Sequence, residues 1–168
     1  QSVEPLDFFL KKHGVVAIEG VDTRALTLRL REKGALRAIL STTDLDPKRL
    51  LAKAKASPSL LNADLVSAVT CEKPYSWTEG YIEKGKPLHV VVYDFGVKFS
   101  TLRCLAAIGC KVTVVPAQTP AQDALALKPD GILLSNGPGD PEPLAYAVET
   151  VRHILRAKVP LFGICLGH

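Results

Sequence analysis

Methionine is absent from the 168 residues, tryptophan occurs once, and aromatic residues make up only 6% of the chain. With a start at Gln1 and no methionine anywhere, the natural N-terminus is expected to lie elsewhere. His168 follows an apolar run and a glycine turn where a helix is expected next, so the chain reads as a fragment. No apolar run approaches the roughly 20 residues that cross a bilayer, which argues against a membrane helix. The four cysteines, Cys71, Cys104, Cys110 and Cys165, include no C-x-x-C pair, and no secretory signal opens the chain. That argues against a disulfide framework or a zinc site and for free thiols in a reducing, cytoplasmic compartment. A dominant charge is also missing, because 21 basic residues stand against 17 acidic ones, a net of +4. The densest basic run, Lys48, Arg49, Lys53 and Lys55, has the spacing of a wet helix face. It lacks interleaved aromatics for stacking bases, so no nucleic-acid partner is expected.

What remains is an ordinary globular composition, 47% hydrophobic and 23% charged. The length fits one domain or one and a half. Residues 1–56 suggest a small α/β unit. A helix-like stretch runs from Pro5 to Lys12, followed by apolar runs at Val15–Ile18 and Ala35–Leu40 that read as strands. A helix from about Arg24 to Lys33 is capped by Asp22 or Thr23 and stopped at Gly34, and another, started by Asp44 or Asp46 with Pro47 in its first turn, runs through Ala56. Residues 57–86, punctuated by Pro58, Pro74, Gly80 and Gly85, read as a linker with a few short strands.

From residue 87 the pattern sharpens. Four apolar runs, Leu88–Tyr93, Cys110–Val115, Gly131–Leu134 and Val159–Ile164, alternate with helical stretches at Lys98–Ile108, Pro120–Leu127 and Leu144–Ala157. Continuous β-rich runs alternating with helices predict parallel strands buried on both faces, an α/β doubly wound sheet. Ligands of such sheets sit at the C-terminal strand ends, where the glycine-rich loops of this chain fall.

Two loops carry chemistry. Gly163-Ile164-Cys165-Leu166-Gly167 places a thiol on a sharp turn after the fourth strand, with a glycine two residues away on each side. There a strained turn would project the side chain above the sheet, and the amides and dipole of a following helix would favour the thiolate. Alone, the pattern fits a buried small apolar cysteine at least as well. Ser135-Asn136-Gly137-Pro138-Gly139-Asp140-Pro141 follows the third strand, and its glycines let backbone N–H groups approach an oxyanion. Alone, it fits a tight surface turn better. It is not a P-loop, since no Lys-Ser/Thr pair follows. Together the loops change the weighing, because adjacent third and fourth strands would set Gly137 beside Cys165, a thiol with amide donors on two sides. Asp94-Phe95-Gly96 matches the kinase magnesium motif in letters only, with no glycine-rich ATP loop or H-R-D loop beside it.

SNGPGDP (135–141) and PLFGICLGH (160–168) resemble the class I glutamine amidotransferases, of flavodoxin-like fold. DFGVK (94–98), IEGVDTRALTLRLREKGA (18–35) and PYSWTEG (74–80) resemble the small-subunit branch of carbamoyl-phosphate synthetase, so the likeness covers nearly the whole chain. It implies that Cys165 attacks the side-chain amide of L-glutamine, giving a γ-glutamyl thioester and ammonia. It gives the Gly137 and Leu166 amides the oxyanion and lets Gly139 help hold glutamine. It implies a large partner subunit, to which ammonia passes and where ATP and magnesium act, on the way to carbamoyl phosphate for arginine and pyrimidine synthesis. No cofactor or metal is expected in the small subunit itself. The family's histidine and orienting glutamate are expected beyond residue 168, which would leave this fragment little glutaminase activity. His168 is read as structural, and His13, His89 and His153 as surface or packing residues.

The resemblance implies residues 1–56 as part of the N-terminal domain, which mainly docks the partner, and 87–168 as the start of the amidotransferase domain. Other amidotransferases lack the upstream VDTRALT unit, and a related cysteine hydrolase need not carry NGPGDP. A non-catalytic docking domain of the same fold is the alternative from a different class.

Overall fold

The computed structural model describes residues 3–59 and 62–168; residues 1, 2, 60 and 61, within the expected N-terminal unit and linker, lie outside the described residues. The chain divides into two compact units, Gln1–Ser59 and Leu60–His168.

The first unit carries three helices, α1 (Leu6–Lys12), α2 (Thr23–Lys33) and α3 (Pro47–Ala56). Short carboxylates start two of them. Asp22 accepts from the Ala25 N–H at 2.8 Å, and Asp46 accepts from the Lys48 N–H at 2.9 Å. Pro47 occupies the first helical position of α3, where an amide would have no intrahelical acceptor. Asp44 binds Arg49 at 2.7 Å and Lys53 at 2.9 Å, and hydrogen bonds from those cations hold its carboxyl well below the usual range. The runs Val15–Ile18 and Ala35–Leu40, expected as strands, join no sheet. Apolar content does not make a strand without a neighbour to take up its N–H and C=O groups. Both runs remain exposed, Val16 at 50% and Leu40 at 51%. Among the described residues, Ala54 is the one buried apolar side chain of this unit.

The second unit is built on a five-stranded sheet. Its elements are β1 (Tyr75–Trp77), β2 (His89–Asp94), α4 (Phe99–Ala107), β3 (Lys111–Pro116), α5 (Ala121–Ala126), β4 (Gly131–Leu134), α6 (Ala145–Arg156) and β5 (Leu161–Gly163). The strand order is β1-β3-β2-β4-β5. β2 pairs in parallel with both β3 and β4, and β4 pairs in parallel with β5. β1 lies antiparallel on β3, so the segment read as a linker supplies an edge strand. A single 3₁₀ turn, Val66–Ala68, adds the fully buried Val66 to the core.

Alternation along the strands divides the core into two layers. Val91, Tyr93, Ile132 and Leu134 join Ala121 and Ala124 of α5 and Ala147 and Ile154 of α6 on one side. Val92, Val112, Val114 and Leu133 meet Leu102 of α4 on the other. With both faces covered, the middle of each central strand carries apolar residues on both sides, which is why the sequence shows runs of them. Among the parallel strands the order reverses between β2 and β4. Doubly wound sheets open their ligand crevice at such a point, at the C-terminal strand ends.

Candidate active site

The ends of β2, β4 and β5 lie in one row, with Tyr93 opposite Leu134 and Leu134 opposite Gly163. The next residues of each strand therefore emerge together, and the three loops at 94–98, 135–139 and 163–167 meet there.

Cys165 stands immediately past β5. Its φ is +53°, a left-handed conformation that a non-glycine residue adopts at a cost of order 1–3 kcal/mol. A one-turn 3₁₀ segment, Cys165–Gly167, follows and closes through the His168 N–H, which donates to the Cys165 carbonyl at 2.9 Å. The expected glycines are needed for backbone clearance. A Cβ on Gly163 would collide with the carbonyl oxygen of Gly167 and lie 2.8 Å from the His168 nitrogen. A Cβ on Gly167 would strike the carbonyl of Leu134. Cys165 is exposed, not a buried packing residue, and its thiol has no hydrogen-bond partner among the described residues. His168 is exposed as well.

The β4 loop approaches just as closely. A Cβ on Gly137 would meet the Phe95 carbonyl oxygen and lie 2.6 Å from Cδ2 of Leu166, so this glycine sits directly against the Cys165 turn. Neither the Gly137 N–H nor the Leu166 N–H donates a hydrogen bond among the described residues. Gly139, at φ +83°, lies over Leu65, whose Cδ1 would be 3.4 Å from an added Cβ. Thus Gly137, Leu166 and Cys165 come together, while Gly139 lies two residues further along the same loop.

Three polar residues hold these loops, and their individual parts were not evident from sequence. Ser135 is fully buried; its hydroxyl accepts from the Phe95 N–H at 2.9 Å and donates to the Asn136 carbonyl at 2.8 Å. Asn136 donates to the Gly96 carbonyl at 2.8 Å and accepts from the Lys98 N–H at 3.3 Å. Asp94 is buried and accepts from the Gly96, Val97 and Cys71 N–H groups at 2.9, 2.8 and 2.9 Å. The signal available beforehand was a carboxylate ending an apolar strand just before a glycine, where it can cap its own turn. Burial, reinforced by the Asp94 charge, pushes the Cys71 thiol up to about 11.

Other histidines stand outside this cluster. His89, at the opposite end of β2, shares a 2.9 Å hydrogen bond with Thr113, and His153 lies 3.7 Å from Glu149 along α6. A groove of about 490 Å³ beside α5 and α6 and another of about 530 Å³ beside β1 and β3 are lined by residues of neither the Cys165 turn nor the 135–139 loop. Among the described residues no group of three or more His, Cys, Asp or Glu side chains is placed to hold a metal, and no helix is long and apolar enough to cross a membrane.

A flavodoxin-like sheet with an exposed thiol on a strained strand-end turn, against a glycine loop with unspent amides, defines a class of α/β protein built around a nucleophile elbow. Residues 91–168 match the family model for glutamine amidotransferase class-I, and residues 1–40 match that for the carbamoyl-phosphate synthase small chain, CPSase domain. The carbamoyl phosphate synthase small chain of Syntrophotalea carbinolica is 53% identical over all of this chain and 47% of its own length. Those of Neisseria gonorrhoeae and Pseudomonas aeruginosa are 50% and 49% identical, over 98% and 100% of this chain and 46% and 48% of theirs. The chain belongs to the carbamoyl phosphate synthase small chain family and spans about half the length of the curated relatives it matches.

Replacing Gly163 by alanine is expected to lower unfolding stability by about 1–3 kcal/mol or more, because the obstruction is backbone and cannot rotate away. Urea unfolding of the variant tests this, and an unchanged midpoint would contradict the geometry. The thiols should also separate by accessibility and protonation. In iodoacetamide at pH 8, Cys104 and Cys165, both exposed, are expected to label first, with Cys71 remaining a protonated thiol and Cys110 buried. Peptide mass spectrometry reads the order, and early labelling of Cys71 would show that its site is open.

Proposed function

We propose that this chain provides the glutamine-handling elbow of a carbamoyl phosphate synthase small chain, releasing ammonia from L-glutamine for use by a large partner subunit. The observation that carries the reading is the junction of Cys165 with Gly137 and Leu166, an exposed thiol flanked by two uncommitted backbone N–H groups. The relatives' names and the small-chain match at residues 1–40 favour this over other class I amidotransferases.

In the proposed reaction the Cys165 thiolate adds to the side-chain amide carbon of glutamine. The carbonyl oxygen gains the negative charge and accepts hydrogen bonds from the Gly137 and Leu166 N–H groups. Donors preorganised for that charge favour the tetrahedral state over bound glutamine. The carbon–nitrogen bond then breaks, the nitrogen takes a proton and leaves as ammonia, and a γ-glutamyl thioester remains on Cys165. Water attacks the thioester to release glutamate and restore the thiol. Gly139 shapes the loop for the glutamine backbone. Proton transfer is assigned to a histidine oriented by a glutamate in the part of the family's length outside these 168 residues. ATP, magnesium and the carbamoyl phosphate chemistry belong to the partner, in a cytoplasmic heterodimer serving arginine and pyrimidine synthesis; the small chain needs no cofactor.

Cys165→Ser in the complete small chain, assembled with its partner, is expected to abolish glutamine-dependent carbamoyl phosphate formation while added ammonia is still used. Loss of both activities would refute this division of labour. The 168 residues by themselves are expected to release ammonia from glutamine at least ~10³-fold more slowly than the complete small chain, for want of the proton relay. A coupled glutamate assay on both proteins decides, and comparable rates would place the relay within this chain.

A further inference from the structure

We infer that Asn136 is a positioning residue for glutamine hydrolysis, acting through the backbone of Gly137; this rests on the reading of the elbow given above. Asn136 is the residue next to Gly137, and both ends of its side-chain amide are spent on one target. Its Nδ2 donates to the Gly96 carbonyl and its Oδ1 accepts from the Lys98 N–H, so it clips the β4 loop across the turn that follows β2. That turn is itself held from beneath, since the Asp94 carboxylate accepts from the Gly96 and Val97 N–H groups. The two loops also touch sterically. A Cβ added to Gly96 would lie 3.2 Å from Pro138 and 3.5 Å from the Gly137 Cα.

The consequence is geometric. Hydrogen bonds to an oxyanion weaken steeply with misalignment, so an amide donor acts only while its peptide plane is fixed. The Gly137 peptide has no side chain to anchor it and no secondary-structure bond. Its plane is held by the Ser135 hydroxyl, which donates to the Asn136 carbonyl of the same peptide, by the Asn136 side-chain clip, and by van der Waals contact with Phe95 and Leu166. Ser135 supports that peptide from the Phe95 side, whereas the Asn136 side chain is the one that reaches on to Gly96 and Lys98. Removing the Asn136 amide therefore loosens the donor while leaving the Cys165 turn, which hangs from β5 and Leu134, intact.

The test uses Asn136→Ala and the isosteric Asn136→Asp in the complete small chain assembled with its partner. The aspartate can still accept from the Lys98 N–H but sets a carboxylate oxygen against the Gly96 carbonyl. For both variants the glutamine-dependent kcat is expected to fall at least about 10-fold, approaching the 10²–10³-fold loss typical of a missing oxyanion donor. KM for glutamine is expected to stay within about threefold, which a general loss of folding would not permit, and ammonia-dependent synthesis and iodoacetamide labelling of Cys165 should be unchanged. If both variants keep kcat within about twofold of wild type while Cys165→Ser is inactive with glutamine, the positioning role is wrong and the assigned reaction stands. A Cys165→Ser subunit that still consumes glutamine would instead remove the reaction on which the inference depends.

Discussion

Backbone passes against backbone at the C-terminal edge of the sheet more closely than any side chain would permit. Gly163 lies over the Gly167 carbonyl, Gly167 over Leu134, and Gly137 over Phe95. These contacts bring three loops within touching distance, and everything else in the second unit serves to hold them there. Two apolar layers fix the strands in height, and parallel pairing sets their ends in one row. Into that row the chain inserts a cysteine with a left-handed backbone, between two glycines that are each pressed against backbone.

The polar groups beneath the loops divide the labour. Asp94 and Ser135 are buried, and each is satisfied by backbone partners, so neither incurs the cost of an unpaired polar group in the interior. The carboxylate gathers amides from its own turn and from Cys71. The hydroxyl of Ser135 and the amide of Asn136 connect loops 38 to 40 residues apart. The four thiols illustrate how placement decides character. Cys110 is a buried packing group, Cys71 is kept protonated by burial and a neighbouring carboxylate, and Cys104 and Cys165 meet solvent.

Much of this was legible from sequence, for identifiable reasons. The parallel sheet showed itself because strands covered on both faces place apolar residues on both sides, as Val90–Val92 and Ile132–Leu134 do. The helices of the first unit showed themselves through Asp22 and Asp46, whose capping is local. The glycines around Cys165 were legible because their spacing is set within a five-residue turn. The clip from Asn136 to Gly96 and Lys98 was not, since no local pattern records a hydrogen bond across forty residues. Val15–Ile18 and Ala35–Leu40 misled for the opposite reason: their composition suits a strand, but among the described residues no strand pairs with them. The short strand Tyr75–Trp77 falls in the Pro- and Gly-rich segment expected to hold a few short strands; its antiparallel pairing with β3 was not legible there.

The order of the pieces along the chain has a consequence for how the site comes into being. The β2 turn comes first in the chain, the β4 loop can lock onto it only after α4, β3 and α5 have passed, and the cysteine follows all of these. Parallel strands cannot close on one another through a tight hairpin, so each stage awaits a crossover. Until β5 docks against Leu134, the segment around Cys165 has no carbonyl pressed beneath Gly167 and no reason to adopt its strained turn. The strained turn thus depends on strands that precede it in the chain, and before β5 has paired Cys165 is an ordinary cysteine.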